Sequence, residues 1–169
     1  MFSSVSIRTV IFDLDGTIAD VSDRRAAANE AQHNFLKDGG HPNNRSEWWA
    51  AWQDPKLIRL DKLNHHVVGV LRSHHLSGCR IIITSARNDK NRDVTVDWLE
   101  KYGIPYHKLY MRPDGEFGKD SLFKEDLYKR HLKKENILAI YDDRNQVVDM
   151  WRDMGLPIFQ VCSREQGNF

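Results

Sequence analysis

Val10-Ile11-Phe12-Asp13-Leu14-Asp15-Gly16-Thr17 is the stretch whose reading decides the fold. A run of β-branched and aromatic residues stops in two carboxylates one residue apart, and a Gly-Thr turn follows. Residues two apart in a strand share a face, which predicts that Asp13 and Asp15 lie side by side. Like charges held that close require a cation, a shared proton or both. The spacing therefore points to Asp13 as a nucleophile and Asp15 as its acid/base partner around a divalent metal. A strand that simply ends in an Asp-Gly turn is the alternative that the octapeptide leaves open.

Outward from this strand, apolar periodicity alternates between strand and helix. Further strands are expected at Cys79 to Thr84, His107 to Met111, Ile137 to Tyr141 and Ile158 to Val161. Leu60, Leu63, Val67, Val70 and Leu71 predict one helix; Val94, Trp98, Leu99 and Tyr102 predict another, stopped by Gly103. Asp120 is expected to cap a helix carrying Leu122, Phe123, Leu127 and Leu132, and Val147, Val148, Trp151 and Met154 mark the next. Strands alternating with helices mean an α/β fold, a doubly wound five-stranded parallel sheet. Residues 20–56 do not fit one crossover helix. Ser22 opens a helix to Lys37, Gly39-Gly40 breaks it, and Trp48, Trp49 and Trp52 fall at helical spacing before Pro55 closes the segment. This reads as a small helical cap inserted after the first strand of a single 1–169 domain.

The chain's 169 residues, 40% hydrophobic and 29% charged, suit one soluble globular domain. A formal net charge of +1 provides no global field to recruit nucleic acid or an anionic membrane. The two cysteines, Cys79 and Cys162, make no metal-ligand spacing and read as buried thiols. Met1 to Ile7 lacks a signal-peptide pattern, and no apolar run approaches the roughly 20 residues of a membrane helix. A cytoplasmic setting is expected.

Ligands of an open parallel sheet bind beyond the carboxyl ends of its strands. Asp13 and Asp15 follow the first strand, Ser85-Ala86-Arg87 the second, the Arg112-to-Lys119 loop the third, and Asp142-Asp143-Arg144 the fourth. That inventory suits phosphoryl transfer, with an aspartate attacking phosphorus and Ser85 and Lys119 supplying donors and charge to the phosphate oxygens. Asp15 would protonate the leaving oxygen, a role that calls for a pKa kept high. Hard oxygen ligands without a His/Cys cluster favour Mg²⁺.

Asp13-Leu14-Asp15-Gly16-Thr17, Ser85, Lys119 and Asp142-Asp143 together resemble the four motifs of the haloacid dehalogenase superfamily of phosphatases. The resemblance implies that Lys119 bridges nucleophile and phosphate. It also implies that Mg²⁺ is held by Asp13, the backbone carbonyl of Asp15 and an acid of the Asp142-Asp143 pair, Asp143 preferred. The first strand should lie centrally in the sheet. The run Asp142-Asp143-Arg144-Asn145-Gln146-Val147-Val148-Asp149-Met150-Trp151-Arg152 is similar to the C-terminal signature of the 3′-phosphatase domain of bacteriophage polynucleotide kinase, and the resemblance as a whole covers roughly residues 8–25 and 58–162. That likeness implies substrate or phosphate contacts from Arg24 and Arg87. Ala86 departs from the group's usual glycine. Thr84 beside Ser85 leaves open which hydroxyl serves, with alignment on Arg87 favouring Ser85.

The tryptophans are read as cap core or as a base-stacking platform. Lys124, Lys129, Arg130, Lys133 and Lys134 read as a mixed-sign helix face, with a phosphate-backbone track as the alternative, and His65-His66 and His74-His75 as surface or structural groups. The expected function is a Mg²⁺-dependent phosphomonoesterase acting on the 3′-phosphate of a DNA or RNA end. Free nucleotides or another small phosphoester are the alternative substrates, and a phosphate-end binding module the alternative class. No membrane and no obligate protein partner are inferred.

Overall fold

The computed structural model describes residues 7–168, so most of the Met1-to-Ile7 segment read for a leader lies outside the described residues. The central sheet is parallel and ordered β5-β4-β1-β6-β7, from β1 (Arg8–Asp13), β4 (Arg80–Asn88), β5 (Lys108–Arg112), β6 (Asn136–Asp142) and β7 (Ile158–Gln160). The first strand is central, between β4 and β6, as the superfamily resemblance implied. A second, antiparallel two-stranded sheet pairs β2 (Ala19–Asp20) with β3 (Lys62–Leu63).

Alternation in the parallel strands sorts the core into two layers. Val10, Phe12, Ile81 and Ile83 face one layer with Leu71 of α4 (His65–Leu76) and Trp98 and Leu99 of α5 (Arg92–Lys101). Ile11, Ile82 and Ile140 face the other, with Leu127 of α6 (Asp120–Leu127) and Val147 and Trp151 of α7 (Asn145–Asp153). Between β2 and β3 stand α1 (Ser22–Lys37), α2 (Ser46–Trp52) and α3 (Pro55–Ile58).

Three local expectations change. Pro55 opens α3 instead of closing α2, because Asp54 caps the new turn by accepting from the Lys56 amide at 2.8 Å. The helix expected from Leu60 begins at His65, since residues 62–63 are taken by the pairing with β2. Asp120 is not the cap of α6; Lys119 holds that position, and the Asp120 carboxylate turns to Arg112 and Arg144. Among the described residues no helix is long and apolar enough to cross a membrane.

Candidate active site

The site grows from the sheet's register. Ile11 pairs with Ile82 and with Ile140, and one step of two further along each strand stand Asp13, Thr84 and Asp142. All three lie on the α6–α7 face, where the apolar layer ends and a polar one begins. Asp13 and Thr84 are in direct register. Lys124 closes this polar layer from above. It stands three residues before the core residue Leu127 on α6, so the same helix face that buries Leu127 brings Lys124 inward. Its Nζ donates to Asp13 Oδ1 at 2.5 Å and to Asp142 Oδ2 at 2.7 Å.

The lysine beside Asp13 is thus not the expected one. Lys119 is exposed at the start of α6, while Lys124, read as part of a mixed-sign helix face, is 2% exposed between two carboxylates. The signal available in the sequence was its i,i+3 spacing to Leu127 on an apolar stripe. Asp120, one turn before Lys124, accepts from Arg112 Nη2 at 2.5 Å and pairs with Arg144, fixing the first turn of α6 against β5 and the loop after β6. Sequence reasoning had given Asp120 only a capping role.

Asp13, Asp142 and Asp143 offer carboxylate oxygens within 4.8 Å of one another, all buried. Burial pushes the Asp13 pKa well above that of an ordinary carboxylate, with Lys124 opposing and Asp142 and Asp143 reinforcing. Burial and then Asp142 push Asp143 up to about 7. Burial by itself would lower the Lys124 pKa, but the charges of Asp13 and Asp142 outweigh it and raise it. Three acids against one ammonium leave a surplus of negative charge that a hard divalent cation fits. Gly16 makes room for this: its φ is +90°, and a Cβ there would sit 2.1 Å from Asp143 Oδ2.

Asp15 does not share that environment. The strand ends at Asp13, and the chain turns so that Gly16 and Ala19 close backbone bonds back onto the turn. Asp15 Oδ1 accepts from Arg24 Nη2 at 2.5 Å and from Arg87 Nη2, while Oδ2 accepts from Arg87 Nε at 3.3 Å. Burial would raise its pKa, but Arg24 and Arg87 hold the carboxyl well below the usual carboxylate range. The two carboxyl groups therefore have different charged partners, Lys124 for Asp13 and the two arginines for Asp15, and the Asp15 pKa is lowered where a raised one was expected.

Arg24 and Arg87 are each 2% exposed. They stand against Asp15 and a second carboxylate, Asp61. Asp61 lies just before β3, 3% exposed, and accepts from Arg24 Nε at 3.0 Å and Arg87 Nη2 at 3.3 Å. Burial pushes its pKa up to about 6, against the pull of Arg24. Nothing in its local sequence, Arg59-Leu60-Asp61-Lys62, sets it apart from a loop aspartate. Ser85, fully buried, accepts from the Arg87 amide through Oγ at 3.2 Å; Thr84 is equally enclosed beside Asp13.

A cleft of about 480 Å³ opens onto the carboxylate cluster, lined by Gly16, Ser22, Arg25, His65, His66 and Asp143 among others. His65 and His66, expected away from the site, stand at its wall because α4 starts later than its apolar period suggested. His74 keeps a structural place, its ring nitrogen 3.1 Å from the Tyr141 hydroxyl. Cys79 is buried as expected, whereas Cys162 is half-buried and donates to the Asp143 carbonyl at 3.1 Å.

A parallel sheet with a central acidic strand, a lysine shared between two strand-end carboxylates and a third acid beside them define a haloacid dehalogenase-type phosphatase fold. Similar folds occur in a haloacid dehalogenase-like hydrolase from Streptococcus pneumoniae, 17% identical with a TM-score of 0.66 over 91% of this chain and 84% of that one. The family model described as the polynucleotide kinase PNKP phosphatase domain matches residues 41–169, and the chain belongs to that family. A putative bifunctional polynucleotide kinase/RNA ligase of Autographa californica nuclear polyhedrosis virus is 31% identical over 161 residues, covering 92% of this chain and 19% of that protein. A chain from the Pnkp1/Rnl/Hen1 complex is 32% identical, with a TM-score of 0.72 over 99% of this chain and 49% of its own length. A second, from the Pnkp1/Rnl/Hen1 RNA repair complex, is 33% identical with a TM-score of 0.69, over 94% of this chain and 43% of its own length. The chain thus spans about a fifth of the curated relative and about half of these structural relatives.

Proposed function

We propose that this chain is a Mg²⁺-dependent phosphomonoesterase that removes a 3′-phosphate from a nucleic-acid end through an aspartyl-phosphate. The observation that carries the reading is the buried Asp13, paired with Lys124 and flanked by Asp142 and Asp143. A carboxylate placed there is not a stability device, since burying three acids with one cation is costly. It is a reactive group held in place.

Asp13 attacks phosphorus while the bond to the 3′-oxygen breaks, and Asp15 supplies the proton that the leaving alkoxide needs. A phosphate dianion arriving beside the Arg24–Arg87 pair offsets their positive field, which raises the Asp15 pKa toward the value a proton donor requires. Asp15 then takes a proton from the water that attacks the phosphoryl group, releasing phosphate and restoring Asp13. Lys124 keeps Asp13 oriented and offsets charge on the transferring phosphoryl oxygens, and the Thr84 and Ser85 hydroxyls would donate to them. Asp13, Asp142, Asp143 and the Asp15 carbonyl would hold Mg²⁺, which supplies Lewis-acid charge stabilisation to the phosphoryl oxygens.

A nucleic-acid end as substrate is supported by the family and by relatives described as a kinase/ligase and as a member of an RNA repair complex. Both Pnkp1 structures are complexes with other proteins, so action without a partner is not carried forward as an expectation. The test is phosphate release with Mg²⁺ from 3′-phosphorylated oligonucleotides, 5′-phosphorylated oligonucleotides and mononucleotides, each as DNA and RNA. Release from 3′ ends is expected. Activity confined to mononucleotides overturns the end-processing reading, and no release from any substrate, with Asp13→Asn unchanged in binding, favours a binding module.

A further inference from the structure

Arg24 is gripped on every side. Besides Asp15, it meets Asp61 through Nε at 3.0 Å and Nη2 at 2.9 Å, and it donates to the Trp52 backbone carbonyl from Nη1 at 3.0 Å. The Trp52 ring covers the same guanidinium, with Cζ 4.2 Å from the ring centroid. Trp52 also stacks with Trp48 at 5.1 Å and 16°, and Arg45 lies over Trp48 at 4.5 Å. The result is a column, Arg45–Trp48–Trp52–Arg24, running from the surface of the inserted segment to the carboxyl of Asp15. Trp52 thus meets Arg24 and Trp48, and Trp48 meets Trp52 and Arg45, all within the chain, so the column braces Arg24.

Asp61 secures the bracket from the body of the fold. Its backbone carbonyl accepts from the Trp98 indole at 2.9 Å, and its carboxylate joins both arginines. Two guanidiniums converging on one buried carboxylate repel each other; a second carboxylate balances the group and holds both planes at once.

We propose that Asp61 and Trp52 are positioning residues that set the orientation of the Asp15 carboxyl through Arg24 and Arg87, so that packing of the α2 segment aims Asp15 at the leaving-group oxygen. The inference rests on the phosphatase reading above. Trp52 carries it because α2 touches the bracket both through a backbone carbonyl and through a ring face, whereas its neighbour Trp49 is 49% exposed and only meets Trp48 edge-on.

The test separates positioning from general support by leaving group. An alcohol leaving from a 3′-phosphorylated oligonucleotide needs the proton; the phenolate of p-nitrophenyl phosphate departs without one. The quantity read is kcat/KM with Mg²⁺, which reports transfer to Asp13. Asp61→Asn is expected to lose about 100-fold on the oligonucleotide and less than about fivefold on p-nitrophenyl phosphate. Trp52→Ala should lose about tenfold with the same selectivity, and Trp52→Phe, which keeps a ring face over Arg24, should regain most of it. Equal losses on both substrates, or no loss, overturn the proposal. Should Asp61→Asn fail to fold, the Trp52→Ala and Trp52→Phe pair decides alone. A wild-type chain that releases phosphate from neither substrate overturns the phosphatase reading instead.

Discussion

Asp13 and Asp15 are separated by one residue and stand in opposite electrostatic settings. Around Asp13, three buried carboxylates face one lysine. Around Asp15, two carboxylates face two arginines. The first group is short of positive charge and suited to a divalent cation; the second is balanced and has no use for one. Their scaffolds differ as well. Asp13 and Asp142 are fixed by strand register in the sheet centre, with Lys124 delivered by a helix packed on that sheet. Asp15 is held by Arg24 of α1 and Arg87 near the end of β4, and both of these are held in turn by Asp61 on the approach to β3. Under the proposed roles, the attacking carboxylate is held by the sheet and the acid/base carboxylate by a separate arginine bracket.

The most severe way to break the contrast is Asp13→Asn, which removes the proposed nucleophile and is expected to cut phosphate release by at least about 10⁴-fold. Its melting temperature should change far less, as the amide still accepts from Lys124. Next comes the choice of lysine. Lys124→Gln should lower kcat/KM by about 10²- to 10³-fold, and Lys119→Ala should leave it within about twofold, both followed by phosphate release. The reverse order would restore the original sequence assignment.

The charge surplus on the Asp13 side makes a third prediction, smaller and independent of turnover. Mg²⁺ should raise the wild-type melting temperature through linkage, and Asp143→Asn should abolish most of that rise, whereas Asp61→Asn should keep it. A Mg²⁺ shift preserved in Asp143→Asn would remove that residue from the metal site.

The fourth concerns pH and the balanced side. Asp61 has a folded pKa of about 6 against 3.8 for an ordinary aspartate. Between those values the folded state binds the extra proton, so stability should fall as pH rises through about 4 to 6. Asp61→Asn removes this contribution, and its melting temperature against pH should be flatter across that window. Asp15 has the opposite sign: its stabilising interaction is present above 3.8 and is lost only as pH falls well below it. Smallest of all, Trp49→Ala on the exposed side of α2 should shift stability by no more than about 0.5 kcal/mol in thermal unfolding.

Much of the fold and part of the site were legible in the chain. The five sheet strands, the central place of Asp13 and the acids after β6 follow from local rules: β-branched runs, period-two alternation, and polar residues where strands end at a ligand-binding rim. The shift in the start of α4 shows where such rules stop, because the two-residue pairing of β2 with β3 is tertiary and overrode an apolar period that ran back to Leu60.

The sequence by itself determined the class of chemistry, through residue types that only a phosphate-handling rim collects at successive strand ends. Tertiary structure alone decided which lysine meets Asp13, why Arg24 and Arg87 turn toward Asp15, and that Asp61 and Trp52 stand behind them. The physical reason is that periodicity records which face of an element is buried. It does not record which other element supplies the opposing charge, and a buried ion pair such as Lys124 with Asp13, 111 positions apart, has no local signature.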